Sequence, residues 1–196
     1  MQKIRLTKTE LRKQKNNLKR YNRYLPILHI KKQQLQKVIE MVKIEQKRVV
    51  SEWIKRKEEM LPWVCLLGEE VGLSDIITLK NIETGIENIA GVDVPLFVAA
   101  HIDMKKYDLF LYPLWVDEAV KSIRAILSLQ AEEFILSERL CYLERELLVT
   151  SQRVNLFEKV KIPEAKEAVR KIMIFLGDQQ TAAIGWARMA KKKIEE

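Results

Sequence analysis

Glycine and proline are scarce in this chain, six and five among 196 residues. Both punctuate the turns of sheet-rich globules. Their scarcity, beside 32% charged and 47% hydrophobic residues, points to long helices. Cysteine is rarer still. Cys65 and Cys141 lie far apart, form no C-x-x-C pattern, and read as two reduced, partly buried thiols. With His29 and His101 the only histidines, no histidine-based zinc centre is expected. The phosphate-cradling G-x-x-x-x-G-K-S/T, the dinucleotide fingerprint G-x-G-x-x-G and the nucleophile elbow G-x-S-x-G are all missing. The chain is therefore not expected to be an enzyme by itself, and no catalytic, cofactor or metal residue is assigned. No apolar run reaches 18 residues, so no direct membrane insertion is expected. The opening "MQKIRLTKTELRKQKNN" has neither an apolar signal core nor a small-residue cleavage site, which points to the cytoplasm.

What the chain does have is charge, unevenly spread. Residues 1–60 hold 18 Lys and Arg against 6 Asp and Glu, residues 61–113 hold 3 against 8, and residues 114–196 hold 14 against 13. A basic opening segment beside an acidic middle one calls for a partner.

The basic segment has a period. With heptad position a at Ile4, the a series runs Ile4, Leu11, Leu18, Leu25, Lys32, Ile39, Gln46, Trp53, Met60. The d series runs Thr7, Gln14, Tyr21, Leu28, Leu35, Val42, Val49, Arg56. Twelve of these seventeen are apolar, which at 47% overall composition exceeds chance and predicts a coiled-coil helix. Polar Lys32 and Gln46 at a positions help fix register, and Pro26 should bend the helix locally. From Ala119 the pattern returns, with Ile126, Glu133, Leu140, Leu147, Val154 at a and Ser122, Leu129, Leu136, Leu143, Thr150, Phe157 at d. Pro163 interrupts it. "PEAKEA" restarts a helix, and Val169, Ile172, Leu176, Ala183, Trp186 and Ala190 resume the stripe shifted by one residue.

The middle holds four of the six glycines and three of the five prolines. In "DIITLKNIETGIENIAGVDVPLF", β-branched stretches separated by glycine predict a small β-hairpin that must lean on a helix or a partner. The expected fold is mainly α, a long antiparallel two-helix coiled coil with this hairpin insert at the turn end. Its segments are 1–60, 61–113 and 114–196, with both chain ends together at the far tip.

Three stretches, in order, resemble the D subunit of the V-type (A/V-type) rotary ATPases, the central shaft of the rotor. "LTKTELRKQKNNLKRYNRYLPILHIKKQQL" looks like that family's opening helix, with Ile27 to Leu35 in place of its basic block. "ENIAGVDVP", Glu87 to Pro95, is similar to its hairpin signature, and "TSQRVNLFEKVKIP", Thr150 to Pro163, to its returning helix. The likeness spans nearly the whole chain. It departs where Lys32 and Gln33 replace an Arg-Asp pair and where "LGDQQ" replaces a charged helix, and the end soon after Lys193 suits a bacterial or archaeal member.

The resemblance implies a central-stalk protein that couples ATP hydrolysis or synthesis to ion translocation by rotation, in a complex peripheral to the inner face of the cell membrane. Implied partners are the catalytic and regulatory subunits of the ring, the small F subunit of the central stalk, and the socket subunit joining the membrane ring, with no nucleic acid and no cofactor. The seam would be carried by Leu11, Leu18, Leu25, Leu28, Leu35, Val42, Leu140, Leu147, Val154 and Phe157. A basic tip facing the ring would comprise Lys3, Arg5, Lys8, Arg12, Lys191, Lys192 and Lys193. Partner contacts would fall on Arg153 (heptad g) and Asn155 (b), and on Asn88, Gly91 and Pro95, with Trp63, Phe97, Phe110, Tyr112 and Trp115 as further anchors or as local core. The rival reading is a basic coiled coil that binds nucleic acid, or a scaffold, through residues 1–60.

Overall fold

The computed structural model describes residues 5–69, 72–105, 107 and 112–195. Among them run α1 (Lys8–Met60), a 3₁₀ helix (Leu61–Gly68), α2 (Leu73–Ile76), β1 (Ile77–Ile89), β2 (Val92–Met104), α3 (Trp115–Leu156), a π-helical turn (Phe157–Lys161) and α4 (Ile162–Glu195). Helix α1 begins where "TKTE" places a cap: Thr7 Oγ1 accepts the Glu10 N–H at 3.2 Å. It stays helical through Pro26 and ends at Met60, where Pro62 opens the 3₁₀ turn. Helix α3 starts just after Pro113, with Asp117 and Glu118 in its first turn, complementing the helix dipole. Two compact units divide the chain, Gln33–Leu148 and Met1–Lys32 with Val149–Glu196.

In the unit Gln33–Leu148, every buried residue of α1 (Leu35, Ile39, Val42, Val49, Met60) sits on the a/d frame. Leu35, Ile39, Val42 and Val49 cluster with Leu136, Leu140 and Leu143 of α3, so the seam read from the sequence is the core here. Antiparallel order shows in the cross-pairs: Lys43 Nζ reaches Glu144 at 2.6 Å, and Gln46 Nε2 donates to Glu133 Oε1 at 3.2 Å. Gln46 and Glu133 both occupy a positions, so this polar pair stands inside the seam, where a register slip would separate the two.

The hairpin in this unit is longer than the sequence pattern suggested, thirteen residues a strand, paired from Ile77↔Met104 to Ile89↔Val92. Ala90 and Gly91 form the turn with φ of 53° and 76°, the two positive values of a type I′ turn. At the base, Ile76 and Ile77 are buried against Val116 and Val120 of α3, with Ile102, Tyr107, Tyr112 and Trp115 packed around them. At the tip, Ile89, Ala90, Val92 and Val94 join the seam cluster of α1 and α3. The hairpin therefore leaves the turn end and lies back on the coil, held at both ends.

The other unit has the same kind of seam. Leu11, Leu18, Leu25 and Leu28 are half-buried, Thr150 and Val154 are buried, and the rings of Tyr21 and Phe157 lie 5.3 Å apart. Next comes the π turn, in which the Ile162 N–H bonds to the Phe157 carbonyl, five residues back. That extra residue moves the buried stripe by one, to Ile162, Ala165 and Ile172, with Val169 half-buried on the same line and Ala168 buried beside it. The shift was expected at Pro163, and its physical seat is the wider turn before it. Proline has no N–H for the Lys159 carbonyl and its ring crowds that group, and a π turn relieves both.

Three expectations change. The stripe stops at half-buried Leu176, and Ala183, Trp186 and Ala190 are exposed. With Tyr21 opposite Phe157 and the helices antiparallel, the start of α1 at Lys8 falls near residue 172, so α4 runs on alone among the described residues. The two basic ends do not meet at one tip: Lys191 lies about 22 Å along the helix past Leu176, at 1.5 Å per residue. Both cysteines are free and exposed rather than partly buried, because neither stands on the seam; Cys141 follows the a residue Leu140 onto the outer face.

Candidate interaction surfaces

The seam assigned from sequence is partly core and partly flank. Leu35, Val42, Leu140 and Val154 are buried, whereas Leu11, Leu18, Leu25, Leu28, Leu147 and Phe157 are half-buried. Ile39, Val49, Leu136 and Leu143 belong with the first group, and all stand on the same heptad frame.

The hairpin is fastened by groups the sequence did not single out. Arg139, 9% exposed and one residue before the a position of α3, bonds through Nη2 to Glu87 Oε2 of β1 at 2.5 Å. Its Nε is buried without a partner. Seven residues along the hairpin from Glu87, Val94 is 1% exposed. Ala90 accepts a left-handed backbone that favours glycine or asparagine, and its methyl packs on the seam cluster, which gives the strained residue its reason.

Asn88 and Gly91 build the turn. Asn88 Oδ1 accepts the Gly91 N–H at 3.1 Å while its Nδ2 donates to Asp93 at 2.5 Å, and Gly91 supplies the second positive φ. Pro95 pairs across the ladder with Ile86. Further down, Lys80 bonds Asp103 at 2.7 Å and holds that carboxyl below its usual range. At the base the Tyr107 hydroxyl donates to Asp117 at 2.6 Å, which raises the phenol. Tyr112 and Trp115 are base core, Phe97 and Trp63 are half-buried, and Phe110 lies outside the described residues.

Arg153 and Asn155 are exposed flanks of α3 beside buried Val154, just before the π turn. Arg5, Lys8 and Arg12 are exposed at the start of α1, and Lys191, Lys192 and Lys193 are exposed on the last turns of α4; Lys3 lies outside the described residues. Arg12, Lys13 and Arg20 line an open groove with Thr9, Asn16 and Asn17. Among the described residues no cluster of three or more His, Cys, Asp or Glu is placed to hold a metal ion. None of the described helices is long and apolar enough to cross a membrane.

The profile of the ATP synthase D-subunit family matches residues 10–192. The chain belongs to that family. It is 42% identical over 196 residues to the V-type ATP synthase D subunit of Borreliella burgdorferi, covering 99% of this chain and 96% of that one. Against the V-type ATP synthase D subunits of Chlamydia muridarum and Chlamydia pneumoniae it is 33% and 32% identical, covering 98% of this chain and 97% and 93% of theirs. Members of this family are central-stalk subunits of rotary ATPases, so family and fold agree. The turn of the hairpin and the one-residue shift before Pro163 fall in the stretches that carry the resemblance.

Proposed function

We propose that this chain is the rotating shaft of its ATPase and carries torque between the catalytic ring and the membrane ring. The observation that carries the reading is the a/d burial along α1 and α3 in a chain that matches the D-subunit family from residue 10 to residue 192. An asymmetric shaft gives each catalytic interface a different set of contacts at each angle. Rotor angle and nucleotide occupancy then bias one another, which is reciprocal coupling by differential contact. The shaft itself needs no catalytic group and no cofactor.

In this reading the free end of α4, with Lys191, Lys192 and Lys193, faces the catalytic and regulatory subunits of the ring, as do Lys3, Arg5, Lys8 and Arg12. Largely electrostatic contact suits a bearing, because it guides without a deep apolar interlock. Arg153 and Asn155 meet other rotary subunits beside the π turn. The acidic insert, through the hairpin with Asn88, Gly91 and Pro95, docks the small F subunit of the central stalk and the socket subunit. The complex works in the cytoplasm at the inner face of the cell membrane. Affinity purification of the tagged chain from its own cell, with nuclease treatment and a high-salt wash, tests this. Retention of large nucleotide-binding subunits supports the shaft. Loss of all bound material to nuclease or salt favours the basic coiled coil that binds polyanions, whose contacts weaken steeply with salt.

A further inference from the structure

A seam of repeated leucines does not by itself fix how far α1 lies along α3. In the unit Gln33–Leu148, α3 offers Leu129, Leu136, Leu140, Leu143 and Leu147. Seven residues along, an a position is again a and a d position again d, so the apolar side chains of α1 find apolar neighbours in more than one register. The insert does not remove this freedom. Its base core is built on Val116, Val120, Ile123 and Leu127 of α3, and its ion pair goes to Arg139, so the hairpin is fastened to α3. Helix α1 reaches that base through residues 61–72, and none of the described residues among them is buried.

Polar groups therefore choose the register. Between Leu35 and Trp53 the a and d positions of α1 are apolar except Gln46, and between Ile126 and Leu147 those of α3 are apolar except Glu133. These two meet, Gln46 Nε2 donating to Glu133 Oε1 at 3.2 Å, and both are half-buried. One further group in the seam is unsettled. Trp53, the next a residue of α1 after Gln46, has its Nε1 buried with no hydrogen-bond partner among the described residues. A shift of one heptad in one direction sets Glu133 beside Trp53 and Gln46 beside Leu140. The carboxylate then exchanges an amide donor for the indole N–H, and only the neutral Gln46 is left unpaired. The opposite shift sets Glu133 beside Ile39, where a desolvated carboxylate finds no donor. The flanks weigh less. Lys43 and Glu144 are half-exposed, and ion pairs so placed contribute little. Glu132 is drawn to Arg48 but repelled by Glu45 and Glu52.

We infer that α1 has a second seat on α3, one heptad away, in which Glu133 accepts the Trp53 indole N–H, and that Gln46 is the lock holding it in the first. The lock belongs to the fold and is independent of the shaft reading; in a shaft it keeps load from driving one helix along the other.

The test uses the full chain with Cys65→Ser and Lys55→Cys, spin-labelled at Cys141 and at position 55, which are exposed on α3 and α1. Pulsed electron–electron double resonance reads the distance between the labels. The parent should give one distance. Gln46→Leu should add a second, shorter by up to about 10 Å, because seven residues rise about 1.5 Å each. The population of the second seat should grow by about tenfold or more. Adding Trp53→Phe, which keeps an aromatic ring and removes the N–H, should restore the single distance. One distance in folded Gln46→Leu overturns the proposal. So does a second distance that is longer, or one that persists in Gln46→Leu/Trp53→Phe.

Discussion

Removing Glu87 should loosen the hairpin tip more than removing Arg139 does, although the two form one ion pair. Glu87→Ala strands a guanidinium that is 9% exposed and whose Nε already lacks a partner. Breaking a fully buried pair in this way costs about 3–5 kcal/mol. Glu87 has a side chain 46% exposed, so water can enter at its end of the contact, and about 2–3 kcal/mol is the better expectation. Arg139→Met keeps apolar bulk in the buried site and leaves Glu87 free to turn to solvent, for a loss of about 1 kcal/mol or less. The tip opens locally, so the assay is native-state hydrogen exchange at the Val92 and Val94 amides. Exchange there should quicken by about 30- to 150-fold in Glu87→Ala and by less than about tenfold in Arg139→Met. An Arg139→Met effect equal to or larger than that of Glu87→Ala would show that the stranded guanidinium is not the larger cost. So would tip amides that do not respond to either change.

Deleting Lys159, an exposed residue of the π turn, should let α3 run into α4 as continuous α-helix with Ile162 still on the seam. The variant should keep most of its helicity by circular dichroism but lose about 3 kcal/mol of stability, because Pro163 then crowds the Glu158 carbonyl in a regular helix; unchanged stability would show that the π turn does not accommodate the proline. Replacing Leu140, Leu147 and Val154 together by serine should uncouple ATP hydrolysis from ion movement before it abolishes hydrolysis. Full coupling in folded protein would count against the seam as torque carrier. Glu132 has its carboxyl raised, first by burial and then by Glu45 and Glu52 against the opposing pull of Arg48. A raised carboxyl pKa favours the protonated folded form, so the ionised group weakens folding above that pKa and stops doing so as the pH falls below it. Glu132→Gln should therefore raise urea resistance at neutral pH, with the gain fading as pH falls through the carboxylate range; an advantage that persists in acid would contradict this.

The seam was legible because a coiled coil writes its core into a local period. Leu35, Ile39, Val42 and Val49 could be placed from spacing alone, since 3.5 residues per turn brings them to one line whatever the partner helix contains. The hairpin was legible for a similar reason: "IAGV" puts a turn between β-branched runs. The one-residue slip before Pro163 also showed as a break of period, although the period could not say whether a kink or a π turn absorbs it.

Other features depend on which residues meet across the fold, and sequence spacing does not encode that. Arg139 and Glu87 are 52 residues apart and look like two ordinary surface charges until the hairpin lies on α3. Ala90 looks misplaced in a type I′ turn until its methyl is seen against the seam. Trp186 and Ala190 keep the heptad pattern, yet α1 begins too late in the pairing to cover them, so helix length decided their exposure. Cys141 is exposed because it falls one step off the stripe. The helices, their seam and the place of the hairpin follow from repeats along the chain, so they can be read from spacing. What clamps the hairpin and where the seam ends emerge in the folded chain, because each depends on contacts between residues far apart in sequence.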